Sequence, residues 1–177
     1  MLYLVRHAMP EVRKDRPPNR WRLGGTGRAA VLELKPRVPT DAYTVASSEY
    51  KAIQTAVLLS GAARVDRRLD EVRRTEVFNP DHKRLACDYL YGIVHPGWED
   101  PAEVVARWDA ALHEHHKAAD GSPLVAVGHG MAMSLWLASR FATEPVKCWL
   151  ALRLPDLWQI DLDARTAERV EAVTGSS

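Results

Sequence analysis

The sequence predicts an α/β fold: a mostly parallel sheet covered by helices on both faces. Three observations carry this. Short apolar runs alternate with segments of helical periodicity along the chain. Two of the runs, Leu2–Val5 and Leu124–Val127, are continuously apolar, as expected of strands buried on both faces. At 177 residues and 46% apolar content, the chain has enough material for one domain with a core of its own.

The elements follow in order. Leu2–Val5 opens the chain as a strand. Pro10, Pro17 and Pro18, set among charged residues, make the next stretch a long loop. Gly24-Gly25-Thr26 opens a helix with Thr26 as the expected cap; Ala30, Val31 and Leu34 keep helical spacing and Pro36 ends it. Tyr43–Ala46 reads as the second strand. It runs through Ser47-Ser48 into a helix from about Glu49 to Leu59, with Gly61 as terminator. Val65–Leu69 is a weaker strand. Residues 70–100 are irregular and broken by Pro80, Pro96 and Gly97. They are read as a small, partly helical cap inserted in a single domain spanning residues 1–177. Pro101 suits the first turn of a helix reaching about Ala118, with Val104, Val105, Trp108 and Leu112 as its apolar stripe. Asp120-Gly121-Ser122 turns the chain into the Leu124–Val127 strand, and a helix from Met131 to Arg140 follows Gly130. Leu150–Leu154 and Leu157–Leu162 read as two late strands joined by a turn at Pro155-Asp156.

Composition narrows the function. The formal net charge is +1, so no global field draws the chain to nucleic acid or to an anionic membrane, and an anionic ligand needs a local basic cluster. No apolar run approaches the length of a membrane span. Met1–His7 is too short and wrongly flanked for a signal peptide and reads as a strand. Cys87 and Cys148 lack CxxC spacing and are expected to be reduced thiols, which fits a cytoplasmic protein. His113 and His116 share a helix face, but no HExxH pattern or carboxylate partner accompanies them, so no metal site is assigned.

Ligands of open parallel sheets bind beyond the carboxyl ends of the strands. Three strands here end in unusual residues: Arg6-His7, then Ser47-Ser48 with Lys51 one helical turn further on, then Gly128-His129-Gly130. Together they place two histidines, an arginine and a lysine on one edge, partly at helix N-termini, which also favour anions. A neutral imidazole is a nucleophile, and a phosphoryl group in flight needs fixed positive charge and donors around its oxygens. Arg6 offers a bidentate fork, Lys51 a point charge and His129 a further donor. Ser47 is either a helix cap or a phosphate contact. Arg13, in the loop after His7, is either a further phosphate contact or a surface arginine. The leaving oxygen needs a proton from a carboxylic acid. Glu71 is the best-placed candidate, with Asp70 and Glu76 as alternatives.

At this point the sequence resembles the histidine phosphatase superfamily, of phosphoglycerate-mutase-like fold. Leu4-Val5-Arg6-His7-Ala8 is similar to its Arg-His-Gly signature and Ser47-x-x-x-Lys51-Ala52-x-Gln54-Thr55 to its Ser-x-x-x-Arg-Ala-x-Gln-Thr block. Trp21 to Arg28, Leu69-x-Glu71 and Val127-Gly128-His129-Gly130 resemble three further family segments, in the same order. The resemblance implies a three-layer α/β/α sandwich. It implies His7 as phosphorylated nucleophile, Arg6, Lys51 and His129 as phosphate pocket, Glu71 as general acid and then base, and no metal or organic cofactor. Two positions depart from the pattern. Ala8 stands where the family has glycine, and Lys51 where it has arginine, keeping the charge and losing the fork. The expected function is phosphomonoester hydrolysis through a phosphohistidine. The expected substrate is a small phosphorylated molecule, with a phosphoprotein as the other option. The alternatives are a mutase, which returns the phosphate to substrate, and a non-catalytic phospho-ligand binder. The brief 70–100 segment disfavours the mutase, whose cycle needs a lid against water.

Overall fold

Side chains alternate between two cores along the central strands of the computed structural model, which describes residues 1–75 and 79–171. Leu2, Leu4, Leu124 and Ala126 point into one core, and Val5, Val125 and Val127 into the other. That is why these strands read as unbroken apolar runs. The sheet has six strands in the order β3-β2-β4-β1-β5-β6. These are β1 (Leu2–Arg6), β2 (Tyr43–Ala46), β3 (Arg64–Val65), β4 (Leu124–Gly128), β5 (Asp156–Asp161) and β6 (Thr166–Arg169). The first four run parallel, and β5 and β6 add an antiparallel hairpin beside β1.

Helices cover both faces, giving the expected three layers. Helices α1 (Gly25–Leu34) and α2 (Tyr50–Ser60) supply Val31, Ala52, Ala56 and Leu59 to one core. Helices α3 (His82–Leu90), α4 (Pro101–Ala118), α5 (Gly130–Arg140) and α6 (Pro145–Ala151) supply the other, with Trp108 and Trp136 at 0% and 1% exposure. Trp108 and Trp136 are therefore packing residues. Among the described residues, no helix is long and apolar enough to cross a membrane.

Several local expectations are corrected. Leu150–Leu154 is not a strand: Pro145 starts α6, which buries Val146 and Cys148 and ends at Ala151. The Val65–Leu69 strand shrinks to Arg64–Val65, because Asp66 accepts the Arg68 amide and caps a 3₁₀ turn over Arg67–Leu69. Helix α1 starts on Gly25 without a side-chain cap, so Thr26 lies inside it. Strand β6 and helix α6 carry weak sequence signals and were not anticipated. The 70–100 segment holds α3 and borders the carboxyl edge of the sheet.

Candidate active site

The parallel register brings the three predicted strand ends together. Arg6 pairs with Gly128 in the β1–β4 ladder and Ala46 with Val127 in the β2–β4 ladder. The His7 amide then donates to the Gly128 carbonyl at 3.0 Å and the Ser47 amide to that of Val127 at 2.9 Å. The His7 and His129 rings consequently face each other with centroids 5.0 Å apart. They form the floor of a cleft of about 810 Å³, lined also by Arg6, Glu49, Lys51 and Glu71.

Each imidazole is oriented by a partner. His7 Nδ1 donates to the Ala8 carbonyl at 2.7 Å, leaving Nε2 with its lone pair. Thr55 fixes the other side of the same residue: its Oγ1 accepts the Ala8 amide at 3.1 Å while donating to the Lys51 carbonyl at 2.8 Å. The methyl of Ala8 is fully buried in the α2-side core, so it points away from the cleft. His129 Nε2 and the Ser47 hydroxyl share a hydrogen bond of 2.6 Å, and the same hydroxyl accepts the Glu49 amide at 3.1 Å. Ser47 thus both supports α2 and orients His129, and it does not line the cleft. His129 Nδ1 is buried with no partner among the described residues. Both histidines are held well below the usual imidazole range. Burial is the main cause, followed for His7 by His129 and Lys51, and for His129 by Lys51 and Arg6. Both are therefore neutral near pH 7.

The cations are placed differently from one another. Arg6 donates from Nη1 to the carbonyls of Leu152 at 3.0 Å and Arg153 at 3.4 Å, while its buried Nε has no partner among the described residues. A Cβ on Gly130 would stand 3.0 Å from that Nε, so glycine lets the guanidinium lie against the start of α5. Lys51 is 6% exposed and engaged twice: Nζ donates to the Pro18 carbonyl at 2.9 Å and pairs with the Glu49 carboxylate. Arg13 stands apart. Its half-exposed side chain pairs with Glu11 and Asp15 and does not line the cleft, so the structure does not bring it to the phosphate pocket. Trp21, from the same loop, borders the cleft while its Nε1 donates to the Arg13 carbonyl at 2.8 Å.

Glu71 lies at the N-terminus of α5. Its Oε1 accepts the Ala132 amide at 2.9 Å and its Oε2 the Met131 amide at 3.2 Å. Asp70 is occupied elsewhere, accepting the Ser48 amide at 2.7 Å and hydroxyl at 2.8 Å. Glu76 lies outside the described residues. Two residues of the site were missed by sequence reasoning. Glu49 is 8% exposed, and its Oε1 lies 3.6 Å from His129 Nε2. Arg107 forks onto Glu99 at 2.8 and 2.9 Å and donates to the carbonyls of Arg68, Asp70 and Glu71, fastening the segment that carries Glu71. Its signal was a charge within the α4 stripe, three residues after Val104. The cleft rim adds Arg20, Arg67, Arg73 and Arg74. Among the described residues, no cluster of three His, Cys, Asp or Glu side chains could hold a metal ion.

The order of motifs along the chain agrees with this geometry. A family model described as histidine phosphatase superfamily (branch 1) matches residues 2–166. The chain belongs to that superfamily. No curated protein matches it. Among solved structures, YhfR of Bacillus stearothermophilus is similar at a TM-score of 0.72 and 18% identity, covering 99% of this chain and 96% of its own. A phosphoserine phosphatase mutant of Entamoeba histolytica, in complex with phosphoserine, gives 0.70 and 14%, with 98% and 97% covered. A mycobacterial glucosyl-3-phosphoglycerate phosphatase gives 0.65 and 22%, with 89% and 87% covered. At these identities the likeness is one of fold, and this histidine phosphatase superfamily member shares it over nearly its full length.

Proposed function

We propose that the protein hydrolyses small phosphomonoesters through a phosphohistidine on His7. The observation that carries this reading is the facing pair of neutral, separately oriented imidazoles, with His7 Nε2 free to attack and its Nδ1 tied back to Ala8. In this reading Arg6, Lys51 and His129 hold the phosphoryl oxygens, with the unpartnered Arg6 Nε and His129 Nδ1 as donors in waiting. Nε2 of His7 attacks phosphorus as the ester P–O bond breaks, and Glu71 delivers a proton to the leaving oxygen. Water then attacks the phosphohistidine, Glu71 takes its proton, and the P–N bond breaks to free His7. Hydrolysis is favoured over transfer between substrates because the wide cleft leaves water a path to the intermediate.

The test is a brief reaction with a ³²P-labelled phosphomonoester, quenched in parallel in alkali and in acid. Label that survives alkali, is lost in acid and is missing from a His7→Ala variant is expected. Absence of label and of turnover over a broad panel of phosphomonoesters would favour a phospho-ligand binder instead.

A further inference from the structure

We propose that Glu49 is a built-in competitor for the phosphate seat: its carboxylate engages Lys51, a donor that a bound phosphate would need, and yields it when phosphate binds. This inference rests on the proposed function in taking Arg6, His7, Lys51 and His129 as the oxyanion pocket.

Glu49 is the residue before α2, yet its carboxylate does not cap that helix. Its side chain turns inward to the cleft floor. There Oε2 pairs with Lys51 Nζ, and Oε1 lies 3.6 Å from His129 Nε2 while accepting the Glu71 amide at 3.2 Å. The carboxylate therefore holds a cation assigned to the phosphoryl oxygens, on the floor where a tetrahedral oxyanion would collect donors. The ion pair is deeply buried, with Lys51 and Glu49 side chains 7% and 10% exposed, so solvent screens it little. Two cations, Arg6 and Lys51, thus share the floor with two carboxylates, Glu49 and Glu71.

A phosphate dianion seated against Lys51 must displace the Glu49 carboxylate or lie beside it, and like charges in a low-dielectric cleft repel. Either way the pocket holds phosphate less tightly than its donors alone would. Affinity is lost equally from substrate and product, so inorganic phosphate leaves readily. Glu49 is a positioning residue here: it acts on phosphate through Lys51 and moves no proton.

Inorganic phosphate binding to the full chain, followed by calorimetry, tests this without turnover. Glu49→Gln and Glu49→Ala are each expected to bind phosphate at least about tenfold more tightly than the parent, equivalent to about 1.4 kcal/mol. Glu49→Asp keeps the charge and is expected to stay near the parent. Misplacing Lys51 or loosening the fold can only weaken binding, so a gain of affinity separates competition from a structural role. A second measurement needs no substitution: in protein labelled with ¹³C at glutamate carboxyls, the Glu49 resonance is expected to shift when phosphate is added. Folded Gln and Ala variants that bind phosphate no better than the parent, or a Glu49 resonance that stays still, overturn the proposal and leave the phosphatase reading standing. A parent and variants that all fail to bind phosphate overturn both.

Discussion

Replacing Gly128 by alanine measures how tightly α4 presses on the strand end that carries His129. A Cβ on Gly128 would stand 2.4 Å from Trp108 Cη2 and 2.7 Å from Cζ2. Carbon atoms pack at about 3.5–4.0 Å, so the new methyl overlaps the ring by about an ångström. The indole cannot swing aside cheaply: it is 0% exposed and its Nε1 donates to the Asp70 carbonyl at 3.3 Å. Overpacking of a well-filled core costs about 1–3 kcal/mol, and the rigid indole places this site at the upper end. At about 2–4 °C per kcal/mol for a chain of this size, the melting temperature is expected to fall by about 4–12 °C. Denaturant unfolding gives the free energy directly, and a double-mutant cycle with Trp108→Phe gives its cause. The smaller ring makes room for the methyl, so the two changes together are expected to cost at least about 1 kcal/mol less than their sum. Activity should drop as well, because the Gly128 carbonyl accepts the His7 amide. A Gly128→Ala variant within about 0.5 kcal/mol of the parent, or strict additivity in the cycle, would refute this account of the glycine.

Three further outcomes follow from the site. Glu71→Gln is expected to lower kcat on an alkyl phosphate by about 10²–10⁴-fold and on p-nitrophenyl phosphate far less, since a good leaving group needs no proton; equal losses on both would argue against a proton-donor role. Both cleft histidines are depressed in the folded state, so the unfolded chain takes up protons near pH 6.5 that the folded chain refuses until lower pH. Stability is therefore expected to fall as pH drops from 7.5 to 5.5, while the acid limb of kcat/KM lies below 6.5; a melting temperature that is flat or rising over that range contradicts the burial argument. Arg107→Leu leaves the 9% exposed Glu99 without its fork, and a loss of about 3–5 kcal/mol is expected by denaturant unfolding. Part of it should return in Arg107→Leu/Glu99→Leu, and a neutral single variant would show that the pair does not hold the Glu71 segment.

The site was legible where chemistry follows directly on a strand. Val5 and Val127 are fully buried, and within two residues each chain leaves the sheet through His7 or His129. An apolar run ending in an imidazole therefore locates both rings, and parallel pairing makes them neighbours. Local periodicity failed where packing, not pattern, chose the element. Leu150–Leu154 is apolar enough for a strand, but Pro145 and the burial of Val146 and Cys148 commit the chain to α6 just before it. The direction of a side chain near a helix start is harder still. Ser48, Glu49 and Lys51 all fit the exposed opening turn of an amphipathic helix, and nothing in their spacing says that Glu49 and Lys51 turn inward together. That follows from the pairing of β2 with β4, which brings Ser47 within 2.6 Å of His129, a contact 82 residues apart in sequence.

The same contacts show how the setting of the imidazoles and the building of the cleft walls are divided in this fold. Both imidazoles are steadied by groups on α2 or just before it: Thr55 holds the amide of Ala8, the residue whose carbonyl accepts from His7, and Ser47 holds His129. The cleft walls come from the Met9–Arg22 loop and the 70–100 segment, whose sequences carry no regular pattern. Lys51 joins the two systems, since its Nζ holds both the Glu49 carboxylate and the Pro18 carbonyl of the wall. A lysine can do this because its ammonium carries three donors that point separately. Lysine at position 51 is therefore better understood as a link between wall and floor than as a weakened arginine, and it is the presence of Glu49 beside it that makes the difference matter.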